Sequence, residues 1–111
     1  MVIRLAQISS TTFWYISLVD AAHLIPFSVS RNDHPSNGLS LCKNHHWAMD
    51  RHLITPTNAN LWKVSPQMLD DRIKDNNYLY QLEGKSILLP EDKRFYPNPD
   101  SIAWREKRLI A

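Results

Sequence analysis

The stretch DAAHLIPFSVSRNDHPSNGLSLCKNHHWAMDRHLI, residues 20–54, contains all five histidines of this 111-residue chain. Thirteen residues separate His23 from Asn37, and eight separate Asn37 from His46. Histidine used only for packing or solubility would be distributed along the chain, whereas crowding of this kind is typical of a site for metal and proton chemistry. The stretch therefore predicts one such site.

The residues around His23 favour a strand followed by a loop. Residues 13–24 are rich in aromatic and β-branched side chains, and Pro26 removes the next backbone donor, which predicts a strand that ends there. Residues 28–36 are polar and contain proline, which predicts a loop, and residues 38–41 predict a brief second strand. His23 would lie near the end of the first strand.

The next elements are also short. No proline or glycine interrupts residues 43–50, so this run can form about two turns of helix. Residues 53–55 and 61–64 predict two more strands, joined by a turn rich in proline and asparagine. Residues 78–82 and 86–89 predict a hairpin, and a helical first arm remains an open alternative.

A last helix has clear signals at both ends. Asn98 can cap it, Pro99 fits its first position, and Asp100 suits the positive end of the helix dipole. Lys107 and Arg108 suit the negative end. Together these elements predict an α+β fold, with a β-β-α core, extra short strands and a C-terminal helix.

Length and composition predict one small domain, with its core at residues 13–64 and a C-terminal extension at residues 65–111. The net charge of +2 and the pI of about 8.8 are compatible with a nucleic-acid partner, but do not require one. Cys42 is the only cysteine, which fits a reducing cytoplasm. Arg4 and Gln7 interrupt the apolar start, so we expect neither a signal peptide nor a membrane span.

Hydrolysis of a phosphodiester needs a base that activates water, a cation that offsets developing charge, and a group that holds the base in place. His23 is the candidate base, because imidazole can accept a proton at neutral pH. Asn37 has both donors and an acceptor, and could fix the loop or the ring that orients His23.

Three further side chains are candidate metal ligands. His46 and Asp50 are four residues apart, so on a helix they share one face and can bind one ion. Pairing of Asp50 with Arg51 and capping of the following turn by Asp50 are together an equally good interpretation. Asp20 is a possible third ligand, although in a regular strand it points away from the face that carries His23. Nitrogen and carboxylate oxygen suit one divalent ion, Mg²⁺, Mn²⁺, Zn²⁺ or Ni²⁺, without choosing among them.

Three motifs in this stretch carry a family resemblance: Ala-Ala-His-Leu-Ile-Pro, Asn-Gly-Leu-Ser-Leu-Cys and His-His-Trp-Ala-Met-Asp. They resemble the HNH, or His-Me finger (ββα-metal), endonucleases, in particular the C-terminal HNH domain of bacterial restriction-type enzymes. The resemblance implies that His23 is the general base, that Asn37 supports it, and that His46 binds one divalent ion. It places Asp50 where some relatives have a second helix ligand, and Ala22 where relatives often have a ligand. The implied activity is metal-dependent hydrolysis of DNA, with double-stranded DNA as the expected partner.

Other hypotheses remain open. Residues 1–19 do not match the segment that usually precedes this run in relatives, so the chain could be a fragment of a longer protein, an alternative start or a truncated gene product. A module altered in this way could bind DNA and metal without cutting. A toxin-like nuclease neutralised by a partner protein is a weaker alternative. Arg31, Lys43 and Arg51 flank the site and could contact phosphates, although solvated surface charge explains each of them equally well. Double-strand cutting would usually need two copies, which makes a homodimer plausible.

Overall fold

The computed structural model of the protein describes residues 19–111, which form two antiparallel strand pairs and three α-helices. In the first pair, β1 (Val19–His23) lies against β2 (Gly38–Cys42), with His23 opposite Gly38. Both strands were predicted from the sequence. The part of the first prediction at residues 13–18 lies outside the described residues.

Side chains alternate across this pair as strand geometry requires. Ala22 and Leu39 are opposite each other, and both are almost fully buried. They contribute to an apolar core that also draws on the helices and on the second strand pair, with Leu24, Met49, Ile54, Val64, Leu79, Ile87 and Ile102 among its buried members. One face of the first strand pair therefore packs into the core.

The segment between β1 and β2 contains regular structure where the sequence predicted a loop at residues 28–36. Helix α1 (Phe27–Ser30) follows Pro26 directly, and a 3-10 turn, Pro35–Asn37, leads into β2. The Pro26 carbonyl accepts hydrogen bonds from the N–H groups of Val29 (2.9 Å) and Ser30 (3.1 Å). Proline has no N–H to donate, but its carbonyl can still accept, so Pro26 ends the strand and begins a helical turn.

Helix α2 (Lys43–Asp50) has the predicted bounds and packs its buried Ala48 and Met49 against the core. The second strand pair, β3 (Ile54–Pro56) and β4 (Trp62–Val64), is antiparallel and lies within one residue of the predicted strands at each end.

The predicted hairpin of residues 78–82 and 86–89 is wrong. The first arm forms a 3-10 turn, Tyr80–Leu82, and Ser86 pairs with Leu61 instead. The backbone of residues 85–87 lies along the free edge of the second strand pair, where the Trp62 N–H donates to the Lys85 carbonyl at 2.8 Å. Unpaired groups on a strand edge are good hydrogen-bonding partners, and here they compete successfully with the local hairpin.

The predicted C-terminal helix is confirmed as α3 (Pro99–Glu106), which packs against β3. The Asn98 side chain accepts a hydrogen bond from the Asp100 N–H at 2.8 Å, which is the predicted N-cap. Within residues 19–111, the longest helices have eight residues, and none could span a bilayer.

Candidate functional site

His23 ends β1, and its ring faces the loop that leads to β2. Its Nε2 lies 2.9 Å from Asp33 Oδ1, and its side chain is 27% exposed. The carboxylate favours a hydrogen on the facing nitrogen, so in the neutral ring Nδ1 is the basic atom. An imidazole held by a carboxylate at a partly exposed position is suited to accept a proton from water.

Asn37 is fully buried and uses its whole amide group to fix the loop after His23. The Ile25 N–H donates to Asn37 Oδ1 at 3.0 Å, and Asn37 Nδ2 donates to the carbonyls of Ile25 (3.0 Å) and Asn32 (2.9 Å). The Leu24 N–H donates to the Asn37 carbonyl at 2.9 Å. Asn37 therefore supports the backbone just beyond His23. Both of its hydrogen-bonded side-chain atoms contact backbone groups.

The three predicted metal ligands meet around the imidazole of His46. Its Nδ1 lies 3.0 Å from Asp20 Oδ2, and its Nε2 lies 3.3 Å from Asp50 Oδ2. Lys43 Nζ lies 2.9 Å from the other oxygen of Asp20. Asp20 thus reaches α2 while His23 reaches Asp33, consistent with the alternation of side chains along β1.

The donor atoms of this cluster suit a divalent ion, but their present arrangement is an ion-pair network. The two carboxylates face different nitrogens of the His46 ring, and those nitrogens point in different directions. An ion bound to one nitrogen would be close to only one of the two carboxylates. Accordingly, no group of three or more His, Cys, Asp or Glu side chains in residues 19–111 is arranged to hold a metal.

Charges around the cluster change the acidity of one candidate ligand. The hydrogen bond from His46, followed by that from Lys43, holds the pKa of the Asp20 carboxyl below its ordinary value. Asp20 therefore stays ionised well into the acidic range, and an anionic oxygen is the form in which a carboxylate binds a cation.

Two histidines near the cluster have pKa values below the ordinary value, whereas pairing with a carboxylate would raise a histidine pKa. Burial lowers the pKa of His45 below the ordinary value of 6.5. Burial, and then the charges of Arg105 and Arg108, also lower the pKa of His52. Both rings therefore favour the neutral form in the folded protein more than in the unfolded chain.

Acidification from pH 7.5 to pH 5 is therefore expected to lower the free energy of unfolding. Below pH 6.5 the unfolded chain binds protons at His45 and His52 that the folded protein resists, so stability present above that pH is lost as the pH falls through the lower folded pKa values. Urea unfolding at several pH values measures this slope. A double variant, His45→Gln with His52→Gln, should show a flatter slope, and an equal slope would contradict the assignment.

The candidate phosphate contacts are spread over the surface. Arg31 ends α1 at a positive φ of 56° and lies 5.7 Å from the centre of the Phe27 ring. The side chain of Lys43 is paired with Asp20. Arg51 stacks on the exposed Trp47, with 4.3 Å between its guanidinium carbon and the ring centre.

Sequence reasoning missed two residues that contact the site. Asp33, the partner of the His23 ring, lies in a loop ten residues further along the chain, and no sequence pattern singles it out. The sequence analysis did not single out Arg105, which is only 2% exposed and lies 3.8 Å from Asp50. Its partners lie more than fifty residues away in the sequence, so no local pattern identifies it.

A comparison with protein families matches residues 6–55 to the HNH endonuclease family. The match covers 50 of the 111 residues of the chain. The match contains His23, Asn37 and His46, and it begins at residue 6, so the prediction that residues 1–19 lie outside the family pattern is wrong from that residue onward. HNH family nucleases generally use a divalent ion and act on DNA, so the match suggests a nuclease.

The HNH segment ends at residue 55, so β4 and α3 lie beyond it. No curated protein matches the chain. Within the segment, Ala22 stands where the resemblance places a ligand, and it is completely buried. The alanine side chain carries no donor atom, so position 22 cannot supply a ligand.

Proposed function

We propose that this protein is a divalent-metal-dependent endonuclease of the restriction type that hydrolyses phosphodiester bonds in double-stranded DNA. The observation that carries the proposal is the position of two side-chain groups on one strand-strand-helix unit within the HNH segment. One group is the His23–Asp33 pair, and the other is the cluster of Asp20, His46 and Asp50.

In this proposal His23 is the general base. Asp33 holds Nε2 of the ring, which leaves Nδ1 to take a proton from the attacking water. Asn37 keeps the backbone of residues 24 and 25 in place, and so keeps the end of β1 in a single position. Arg31, Lys43 and Arg51 are the candidate contacts to DNA phosphates.

His46, together with Asp50 or Asp20, would hold the divalent ion. When bound, the ion would offset the negative charge that develops on the phosphate and the leaving oxygen. The nitrogen and carboxylate oxygens suit Mg²⁺, Mn²⁺, Zn²⁺ or Ni²⁺. Binding would replace one of the two carboxylate contacts of the His46 ring.

The wider biology belongs to the same proposal. We assign the chain to one nuclease domain, with a core at residues 13–64 and an extension at residues 65–111, acting in the cytoplasm. Cleavage of both strands by a single-site domain would usually need two copies, so the proposal includes a homodimer. Sedimentation of the protein with and without DNA would show whether it forms that dimer.

Plasmid cleavage tests the proposed activity. Chelator-treated protein is incubated with supercoiled plasmid and each of the four ions in turn, and at least one ion is expected to produce open circles that EDTA abolishes.

A second candidate is a catalytically impaired HNH module. It is favoured by the existing Lys43–Asp20 pair and by the placement of Asp20 and Asp50 on different nitrogens of His46. Metal and DNA binding without cleavage by any ion would select this candidate.

Replacement of His46 by glutamine is expected to weaken Mn²⁺ binding by at least about 10-fold, because the variant loses the nitrogen ligand at the centre of the cluster. Isothermal titration with Mn²⁺ alone measures the affinity. His34→Gln is the matched control, since that exposed ring contacts the Ser36 hydroxyl, at 2.9 Å, and has no contact with the cluster. Equal affinities of the two variants would refute the assignment of His46 as a ligand.

A further inference from the structure

Arg105 on α3 is a buried cation that joins the two halves of the site. Its guanidinium donates to the backbone carbonyls of Leu24 and His23 (3.2 Å) at the end of β1, and to the carbonyl of Met49 (2.8 Å) near the end of α2. Its Nη2 lies 3.8 Å from Asp50 Oδ1. Only 2% of its surface is exposed, so its N–H donors contact these protein groups instead of water.

Burial of a guanidinium is unfavourable unless its donors are satisfied. Burial lowers the pKa of Arg105, and the charge of Asp50 opposes that change. The Met49 carbonyl is in the last turn of α2, where the helix dipole is negative, and it also accepts a hydrogen bond from the His52 N–H at 3.0 Å. The position therefore favours a cation, and the planar guanidinium can serve three carbonyls at once.

We propose that Arg105 is a positioning residue for the nuclease site, and this inference rests on the proposed function. It holds the end of β1, which carries His23, in a fixed relation to the end of α2, which carries Asp50. It also orients the Asp50 carboxylate, whose Oδ1 faces Arg105 while Oδ2 faces His46. The HNH match ends at residue 55, so Arg105 would be a residue of the site that lies outside the matched segment.

The test compares Arg105→Lys and Arg105→Met with a control, Arg108→Met. Arg108 is on the same C-terminal segment, but it is exposed and stacks on Trp104 at 3.7 Å. Lysine keeps the charge but cannot present a planar set of donors to three carbonyls. The measurements are the folded fraction from thermal unfolding, kcat and KM for cleavage of a DNA duplex, and the Mn²⁺ affinity.

Arg105→Lys is expected to lower kcat per folded molecule by about 10-fold, with little change in KM, and to weaken Mn²⁺ binding through Asp50. Arg105→Met should be worse or fail to fold, whereas Arg108→Met should match the wild type. If Arg105→Lys loses only stability, with unchanged kcat, KM and Mn²⁺ affinity per folded molecule, the residue is merely structural and the inference is overturned. If the wild type neither cleaves DNA nor binds Mn²⁺, the proposed function fails, and this inference falls with it.

Discussion

Replacement of His23 by alanine is expected to lower the single-turnover rate of DNA cleavage by about 10²- to 10⁴-fold, the usual contribution of a positioned general base. The loss follows from the geometry of the ring, which ends β1 with one nitrogen held by Asp33 and 27% of its side chain exposed. The rate is measured by rapid quenching with an end-labelled duplex, at saturating protein and the best of the four divalent ions.

Two controls separate the base from other effects. His34→Ala removes an exposed histidine from the same loop, and it should cleave at the wild-type rate. His23→Ala should bind Mn²⁺ as tightly as the wild type, because the ring of His23 contacts Asp33 and lies outside the cluster around His46. Cleavage that survives in His23→Ala would show that another group activates the water.

Replacement of Asn37 by alanine is expected to lower the free energy of unfolding by about 3 kcal/mol. The variant loses three hydrogen bonds and leaves the N–H and carbonyl of Ile25 and the carbonyl of Asn32 without their partner in a partly buried position. Unsatisfied buried groups cost more than the net value of the bonds themselves. Urea unfolding at pH 7.5 measures the change.

A matched control is Asn44→Ala, which removes the same side chain from an exposed position in the first turn of α2 and should change stability by less than about 0.5 kcal/mol. Cleavage by Asn37→Ala should fall even where the variant is fully folded, because the backbone beyond His23 is no longer fixed. Stability close to that of the wild type would mean that the loop can replace the amide contacts.

Local signals predicted much of the fold. Helix α2 has the predicted bounds because residues 43–50 contain neither glycine nor proline, and α3 begins as predicted because Asn98, Pro99 and Asp100 are a cap, a first-turn residue and a favourable charge. These features act over a few residues, so they can be identified in a single sequence.

The errors arise where distant segments compete with local ones. Ser86 pairs with Leu61 because β4 has a free edge, and the sequence of residues 78–89 carries no information about that edge. The turn of α1 depends on the carbonyl of Pro26 as an acceptor, whereas the prediction used only the N–H that proline lacks. Tertiary contacts override local preference in the first case, and an acceptor was overlooked in the second.

The candidate site, like the fold, was predicted only in part from the sequence. The spacing of His23, Asn37 and His46 identified a family segment that the comparison confirms. The side-chain contacts could not be predicted, since the nitrogen of His46 that each carboxylate faces depends on rotamers and on packing of β1 against α2. Arg105 is more than fifty residues from its partners, so only the folded chain brings it to them.

The central claim is that His46 and an acidic neighbour hold a single divalent ion in the same site as His23. The most direct measurement is the location of Mn²⁺, from its anomalous X-ray scattering, in crystals of the protein grown with the ion. The claim predicts one ion bound to a ring nitrogen of His46 and to an oxygen of Asp50 or Asp20, with His23 outside the coordination shell. An ion bound elsewhere, or an empty cluster at Mn²⁺ concentrations that saturate binding in solution, would contradict it.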